Sequence, residues 1–264
     1  MAGHSKWANI KRQKARVDAQ KGKVFARISR AIIVAARHGV PDPEGNFQLR
    51  TAIAKAKAAG IPNENIERAI LVGGRLANAK ASGKLGAEGD EWEAIRYEGY
   101  GPSGIAVLIE ALTDNRHRTA ADLRAAFSKY EGNLGETGCV SWMFEQKGIV
   151  TVMGTFNEEA LLEVLLEGGA ESYELVEMEE TEVLAEISTD VANLEALSQA
   201  LKTQGYLLQE AEPRWIARNT VEVDDPEQAR KLLKLMDVLE DLDDVQEVTA
   251  NFEINQSLIP LVSA

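Results

Sequence analysis

The order of strand and helix candidates after residue 139 constrains the fold of this 264-residue chain more than any other feature of its sequence. The candidates alternate there, with strands at 148–153, 173–178, 182–188 and 206–210 and helices that start at Asn157 and near Asp190. The resulting order, β-α-β-β-α-β, is the ferredoxin-like plan. We therefore predict a ferredoxin-like domain over residues 139–212.

Further candidate elements flank this domain on both sides. They are, in chain order, strands at 94–100 and 105–112, a helix from Thr119 to Tyr130, a strand at 219–223, a helix at 226–240 and a strand at 245–252. Thr119 and Asp122 predict a capping box for the first of these helices, and Gly132 predicts its stop. We predict that residues 91–132 and 213–254 form a discontinuous α+β domain around the inserted one.

The first 80 residues contain only helical patterns. Helix candidates run from Asp18 to Gly39, from Phe47 to Ala59 and onward from Pro62, where Asn63 is the expected cap. Gly73 and Gly74 begin a glycine-rich stretch, which predicts a linker or hairpin over residues 73–91. Residues 1–80 are thus predicted to form a helical domain.

The net charge of the chain is divided unevenly along its length. Residues 1–80 contain eight Lys and eight Arg against five acidic residues, a net charge of +11, whereas the remainder carries −24 within a total of −13. A basic unit attached to an acidic remainder is typical of a polyanion-binding protein. A single-sign block this dense favours nucleic-acid binding over a merely solvated face.

The predicted nucleic-acid contacts combine this basic end with one basic turn in the acidic part. They are Lys6, Trp7, Lys11, Arg12, Lys14, Arg16, Lys21, Lys23, Arg27, Arg30, Arg116 and Arg118. Arg27, Arg30 and Arg37 lie off the apolar stripe of the first helix, so we expect them to face solvent. If about six cations met phosphates of duplex DNA, log affinity would fall with log salt with a slope of roughly −5.

Three of these assignments have a structural alternative. Trp7 either stacks on an exposed base or anchors the cationic arm against the helical domain. Arg116 and Arg118 either bind phosphate near the start of the following helix or brace their turn, with Arg116 paired to Asp114 or Glu110. The sequence leaves both choices open.

Six segments resemble the YebC family and are spread over essentially the whole chain: GHSKWANIK, NENIERAI, YEGYGPSGIAV, LTDNR, AFSKYEGNLGETG and DVQEVTANFEI. The resemblance implies three domains without catalytic activity, one helical and two related α+β domains. It also implies a DNA-binding transcriptional regulator, although mitochondrial relatives act as translational activators and some bacterial members associate with the ribosome. Arg12, Ser103 and Glu131 stand where the family commonly has His, Gly and Gly.

The combined prediction is an α+β protein in which an N-terminal helical bundle domain is followed by two related ferredoxin-like α+β domains, one inserted in the other. We predict a nucleic-acid-binding regulator of gene expression, with DNA as the target in one hypothesis and ribosomal RNA in the other. The third helix places Arg68 beside Glu64 and Glu67, a poor surface for reading base edges. Binding directed by shape or by the phosphate backbone is therefore expected.

The acidic part of the chain suggests a different kind of contact. The runs at 177–182 and 240–244 lack the pattern of a calcium loop. Solvated surface is their default interpretation, and the alternative is contact with ribosomal or transcription proteins.

Motifs that would indicate catalysis or cofactor binding are few. Gly99, Gly101 and Gly104 spell G-x-G-x-x-G, but an apolar strand follows where the dinucleotide motif requires a helix, which predicts a turn. The glycines from Gly132 to Gly138 form either a flexible joint or a binding loop. Cys139 lacks the paired ligands of a zinc site. We expect no enzyme activity, metal, cofactor or membrane association, and a cytoplasmic location.

Overall fold

The computed structural model describes residues 21–81, 93–154, 157–177 and 183–254. Three groups of elements follow one another, and each packs around a hydrophobic core of its own. Within these ranges, no helix has the length and the apolar composition that crossing a membrane requires. The helical N-terminal region and the α+β remainder agree with the predicted fold class.

The N-terminal domain consists of helices α1 (Lys21–His38), α2 (Phe47–Ala58) and α3 (Asn63–Ala81). Their apolar faces meet in a core to which each helix contributes buried aliphatic residues. Asn46 joins two of the helices. Its Oδ1 accepts the N–H of Leu49 at 3.0 Å as the N-cap of α2, and its Nδ2 donates to the carbonyl oxygen of Ala35 at 2.8 Å. The same side chain thus starts α2 and holds the end of α1.

The prediction of a linker from residue 73 is wrong for its first part, because α3 continues through Gly73 and Gly74 to Ala81. A Cβ atom at Gly73 would lie 2.4 Å from the carbonyl oxygen of Ile33 and 2.7 Å from the Cβ of Ala36, both on α1. Glycine lets the two helices approach closely, and this packing outweighs a helix-propensity cost of about 1 kcal/mol. Residues 82–92 lie outside the described ranges.

The inserted domain has the predicted ferredoxin-like plan. Its elements are β4 (Phe144–Gly154), α5 (Glu158–Glu167), β5 (Ala170–Glu177), β6 (Val183–Thr189), α6 (Leu194–Thr203) and β7 (Leu208–Ala217). The four strands form one antiparallel sheet in the order β5-β6-β4-β7. Helix α5 begins beside Asn157, where a helix start is predicted, and the Asn157 side chain caps it by accepting the N–H of Ala160 at 3.1 Å. Strand β7 continues past the predicted boundary at residue 212.

The discontinuous domain is built from segments on both sides of this insertion. Its elements are β1 (Glu93–Tyr100), β2 (Ala106–Thr113), α4 (Arg116–Lys129), β3 (Asn133–Leu134), β8 (Val221–Val223), α7 (Pro226–Glu240), β9 (Val245–Ala250) and β10 (Phe252–Ile254). A four-stranded sheet has the order β3-β1-β2-β9, and β8 and β10 form a separate parallel pair. This strand order does not repeat that of the inserted domain.

Helix α4 begins earlier than the capping box predicted. It starts at Arg116, and the side chain of Asn115 caps it by accepting the N–H groups of His117 at 3.2 Å and Arg118 at 3.1 Å. Thr119 is not the cap because it already lies inside the helix, where its N–H donates to the carbonyl oxygen of Asn115 at 3.1 Å. The predicted Thr119–Asp122 capping box is therefore wrong, since Asn115 caps the helix one turn earlier.

The connection from β3 to β4 is held by a buried carboxylate. Glu98, 3% exposed, accepts the backbone N–H groups of Gly138, Val140 and Ser141, each at 2.8 Å. Burial alone would raise the pKa of Glu98, but these amide donors outweigh it and lower the pKa. The glycine-rich connection is therefore braced against β1.

The G-x-G-x-x-G sequence forms the predicted turn between strands. Gly99 lies in β1 opposite Val107 of β2, and a short 3-10 helix at Pro102–Gly104 joins the two strands. A dinucleotide-binding loop would instead open a long helix at this point. The prediction of a turn is confirmed.

Two residues that depart from the family pattern adopt left-handed backbone conformations. Ser103 has φ = 60° and Glu131 has φ = 62°, and these are the non-glycine residues with positive φ in the described ranges. Such a conformation costs an L-residue roughly 1–2 kcal/mol, which glycine avoids. Glycine at either position therefore suits the backbone better than the residue that this chain carries.

We predict that Glu131→Gly raises the free energy of unfolding by up to ~1 kcal/mol. Relief of the left-handed strain exceeds the extra unfolded-state entropy of glycine and the loss of the exposed pair with Lys231. Urea denaturation followed by circular dichroism measures the change. Gly132→Ala is the matched control and should destabilise, because its Cβ would lie 2.7 Å from the carbonyl oxygen of Tyr100. A lower unfolding free energy for Glu131→Gly would refute the strain argument.

Candidate nucleic-acid interface

Half of the predicted nucleic-acid contacts precede the described part of the chain. These are Lys6, Trp7, Lys11, Arg12, Lys14 and Arg16, which lie outside the described residues together with the choice between stacking and anchoring for Trp7. Lys21 and Lys23 belong to the first turn of α1. The described residues therefore begin within the predicted basic end of the chain.

Arg27 and Arg30 on α1 contact the discontinuous domain. The Arg27 guanidinium donates to the carbonyl oxygen of Glu240, the last residue of α7. The Arg30 Nη1 donates to the carbonyl oxygen of Asp243 at 2.6 Å and lies 3.6 Å from the carboxylate of Asp244. Burial lowers the pKa of Arg27, opposed by the nearby Glu240 carboxylate. These contacts, together with the half-buried positions of both arginines, show that the two guanidiniums engage protein oxygens.

The expectation that Arg27, Arg30 and Arg37 all face solvent is wrong. Arg37 is buried, with 8% of its surface exposed, and the other two are half-buried. The apolar stripe of α1 packs on the other N-terminal helices, but the opposite face of α1 meets a second domain. A helical pattern identifies the first of these contacts and not the second. Binding of nucleic acid by Arg27 and Arg30 stays a prediction.

Asp244 is the centre of a buried polar network between β2, α4 and β9. Its Oδ2 accepts hydrogen bonds from Thr113 Oγ1 at 3.2 Å, Thr119 Oγ1 at 2.8 Å and Arg118 Nη2 at 2.7 Å. Burial alone would raise the pKa of Asp244, but the bonds from Arg118 and Thr119 outweigh it and lower the pKa. This network fixes the basic turn onto the sheet.

The two arginines of the basic turn have different surroundings. Arg118 bridges Asp244 and Asp114, with 2.7 Å to each carboxylate, and these bonds raise its pKa. Arg116 lies 3.6 Å from Glu93, and its side chain is 64% exposed. The structure thus shows Arg118 as a brace, whereas the predicted partners of Arg116, Asp114 and Glu110, are replaced by Glu93.

Helix α3 carries exposed cations that sequence analysis did not select. Arg68 and Arg75 are both exposed and seven residues apart, so they lie on one face of the helix. Leu71, between them, is 61% exposed. The i, i+7 spacing was the available signal, but the neighbouring Glu64 and Glu67 argued against it.

A cavity of about 470 Å³ lies where the three domains meet. Arg96, Glu110 and Glu247 lie opposite one another on β1, β2 and β9, and all three line this cavity. Lys55 of α2 pairs with Glu212 of β7 on another side of the cavity. The cavity is therefore rich in charged groups that come from separate parts of the chain.

Glu247 is the most perturbed acid of this junction. Burial, followed by the charge of Glu212, raises the pKa of Glu247 to about 7. Glu110 lies directly across from it on β2 and adds to the effect, while Arg214 opposes it. Glu247 therefore binds a proton near neutral pH.

In the described ranges, no cluster of three or more His, Cys, Asp or Glu residues has the arrangement of a metal site.

Comparisons with known proteins identify relatives over nearly the whole chain. The family description "TACO1/YebC protein N-terminal domain" matches residues 5–73, and "TACO1/YebC second and third domain" matches residues 92–252. A probable transcriptional regulatory protein of Cyanothece sp. (strain PCC 7425 / ATCC 29141) is 70% identical over 98% of both chains. Another protein with that description, from Acaryochloris marina (strain MBIC 11017), is 68% identical over 96% of both chains.

A solved structure extends the similarity to the fold. A crystal structure of a protein from Aquifex aeolicus superimposes with a TM-score of 0.77 at 45% sequence identity. The superposition covers 92% of this chain and 94% of the other. The three-domain arrangement is therefore similar to one observed by crystallography.

Proposed function

The chain belongs to the TACO1/YebC family, and on that premise we propose that it regulates gene expression by binding nucleic acid, with DNA as its target. The observation that carries the proposal is the net charge of +11 within residues 1–80, attached to a remainder of −24. The description of close relatives as probable transcriptional regulatory proteins supports the same function. The proposal includes a cytoplasmic location and action by binding instead of catalysis.

The described contacts favour binding directed by the phosphate backbone. Arg118 is held by two carboxylates, and two backbone N–H groups in the first turn of α4 already donate to the side chain of Asn115. The basic turn therefore offers less to a phosphate than its sequence suggests. The cations that precede residue 24 and the exposed Arg68 and Arg75 of α3 remain as the proposed phosphate contacts. Contacts of this kind position a nucleic acid without reading its sequence.

Ribosomal RNA is the second candidate target, because backbone-directed binding does not distinguish the two polyanions. The exposed face of α5 favours this alternative through a protein contact. Leu162 and Leu166 are 40% and 70% exposed there, beside the exposed Glu159 and Glu163. An apolar centre with an acidic surround complements a basic protein such as those of the ribosome.

We predict that Lys6→Gln/Lys11→Gln/Lys14→Gln lowers the affinity for a 30-base-pair duplex about 10-fold at 100 mM salt. Each lost phosphate contact makes the slope of log affinity on log salt less steep by about 0.9. Fluorescence anisotropy across a salt series measures both quantities. The matched control is Arg124→Gln/Lys129→Gln/Lys234→Gln, which removes the same charge from exposed positions of α4 and α7. Equal losses in both variants would contradict a specific role of the basic end.

The two targets are separated by a sedimentation experiment. Cell lysate is fractionated through sucrose after treatment with DNase or with RNase. Migration with ribosomes that survives DNase and is lost with RNase would support the ribosomal alternative and contradict DNA as the target. Fractionation that depends on DNA would support the proposal.

A further inference from the structure

The segment from Glu240 to Asp244, EDLDD, lies against the basic helix α1, and we call it the acidic segment. We propose that the acidic segment is an internal competitor for phosphate, which engages Arg27 and Arg30 until nucleic acid takes its place. Asp241 and Asp243 would then set the strength and the salt dependence of binding. This inference rests on the proposed function and names residues that regulate it.

The contacts to α1 resemble those that a phosphate backbone offers to arginine. Arg27 and Arg30 donate to the carbonyl oxygens of Glu240 and Asp243, and Arg30 also lies 3.6 Å from the Asp244 carboxylate. Glu240 ends α7, where the helix dipole places partial negative charge on the last carbonyl groups. Two guanidiniums therefore meet a row of oxygen acceptors in a negative field.

The charge of the acidic segment opposes an approaching polyanion. Four of its five residues carry a carboxylate, and Asp241 and Asp243 are exposed beside α1. Their charges lie within reach of the Arg27 guanidinium, since both act on its protonation. A phosphate group near Arg27 or Arg30 is thus repelled while these carboxylates are present.

The acidic segment keeps its own position without α1. Asp244 is held by Thr113, Thr119 and Arg118, and its carbonyl oxygen accepts the N–H of Leu112 at 2.7 Å. Its pair with Arg30, at 3.6 Å, is longer than its bond to Arg118, at 2.7 Å. Release of the two guanidiniums therefore leaves the rest of the network in place.

The N-terminal helices also keep separate contacts with the inserted domain. Arg50 of α2 pairs with Glu195, and Lys55 pairs with Glu212. An exchange of partners by Arg27 and Arg30 does not require these pairs to break. The competition needs new rotamers of two half-buried side chains, and it needs no movement of the helix that carries them.

The test compares Asp241→Asn/Asp243→Asn with wild type for binding to one 30-base-pair duplex between 50 and 200 mM salt. We expect an affinity about 5-fold higher, with a salt slope steeper by about 1 to 2, because loss of the two carboxylates removes their repulsion of phosphate and lets it compete with the carbonyl oxygens for the two arginines. Glu222→Gln/Asp224→Asn is the matched control, because it removes the same charge from exposed positions of the discontinuous domain, at β8 and directly after it. We expect a change of less than 2-fold for this control.

A second pair of variants identifies the partner. When Arg27→Gln/Arg30→Gln is combined with Asp241→Asn/Asp243→Asn, the gain in affinity for the duplex should disappear. The acidic segment then has no guanidinium to engage. An equal gain in the Glu222→Gln/Asp224→Asn control, or a gain that survives loss of both arginines, would overturn the inference. If Asp241→Asn/Asp243→Asn binds the duplex with the affinity of wild type, the inference is overturned and the proposed function stands. If wild type and every variant fail to bind the duplex, both the inference and the proposed function are overturned.

Discussion

Asp244→Ala is expected to lower the free energy of unfolding by about 3 kcal/mol. The carboxylate is 6% exposed and accepts hydrogen bonds from Thr113, Thr119 and Arg118. Its removal leaves two buried hydroxyls and one guanidinium without their shared acceptor, and it also removes the ion pair with Arg30. Urea denaturation at pH 7.5, followed by circular dichroism, measures the loss.

Asp114→Ala is the matched control for this prediction. Asp114 lies at the same 2.7 Å from Arg118 as Asp244 does, but its side chain is 32% exposed, against 8% for Asp244. Water screens a pair of this kind, so we expect a loss below about 1 kcal/mol. Similar losses in the two variants would show that Arg118 alone matters and that the buried network does not.

The pH dependence of the Asp244 effect has a definite sign. The pKa of Asp244 is lowered in the folded protein, so its carboxylate stabilises the fold at pH values above the pKa of the unfolded state. This contribution is lost as the pH falls through the folded-state pKa. The difference between wild type and Asp244→Ala should therefore shrink in acid.

Local patterns were sufficient to predict most elements of the fold. Alternation of apolar residues located the strands of the inserted domain, and the predicted start of a helix at Asn157 is confirmed. Asn157 caps this helix within its own first turn, so no distant residue is needed to locate the start. The order of these elements then indicates the ferredoxin-like sheet.

One error arises where a distant residue decides the local structure. Gly73 does not end α3 because α1 packs against it. Propensity rules consider neighbours in sequence only, and Ile33 of α1 becomes a neighbour of Gly73 only in the folded protein. The error at Thr119 is local instead, because Asn115 caps α4 four residues earlier.

The candidate interface shows the same limit more strongly. The density of cations correctly separates a basic domain from an acidic remainder, but it cannot say which partner each cation meets. Arg27 and its acceptor on Glu240 are 213 residues apart. A guanidinium suits a carbonyl oxygen, a carboxylate and a phosphate alike. The sequence therefore identifies the chemistry of the basic end, and the tertiary structure shows which of its arginines already have protein partners.

The junction cavity provides a group whose protonation should control stability near neutral pH. Glu247 and Glu110 lie directly opposite each other on neighbouring strands, an unfavourable arrangement when both are charged. Glu110 accepts a hydrogen bond from Trp215 Nε1 at 3.0 Å. The pKa of Glu247 is raised to about 7, mainly by burial and then by the charge of Glu212.

We expect Glu247→Gln to stabilise the protein at pH 8.5 by about 2 to 3 kcal/mol and to leave its stability nearly unchanged at pH 5. The folded protein keeps the Glu247 proton up to about pH 7, whereas the ordinary value for the unfolded chain is 4.5. Wild-type stability therefore decreases as the pH rises through this window, at about 1.36 kcal/mol for each pKa unit of the difference. Glutamine keeps the shape of the protonated acid and does not titrate.

Unfolding by urea at pH 5.0, 6.0, 7.0 and 8.5 tests this expectation against Glu253→Gln. Glu253 is an exposed residue of β10, so its substitution should leave the pH profile of stability as in wild type. A Glu247→Gln profile parallel to that of wild type would mean that water reaches the carboxylate well enough to keep its pKa ordinary. A flatter profile would show that the pKa of Glu247 is raised in the folded protein, as expected from its burial and from the charge of Glu212 on β7.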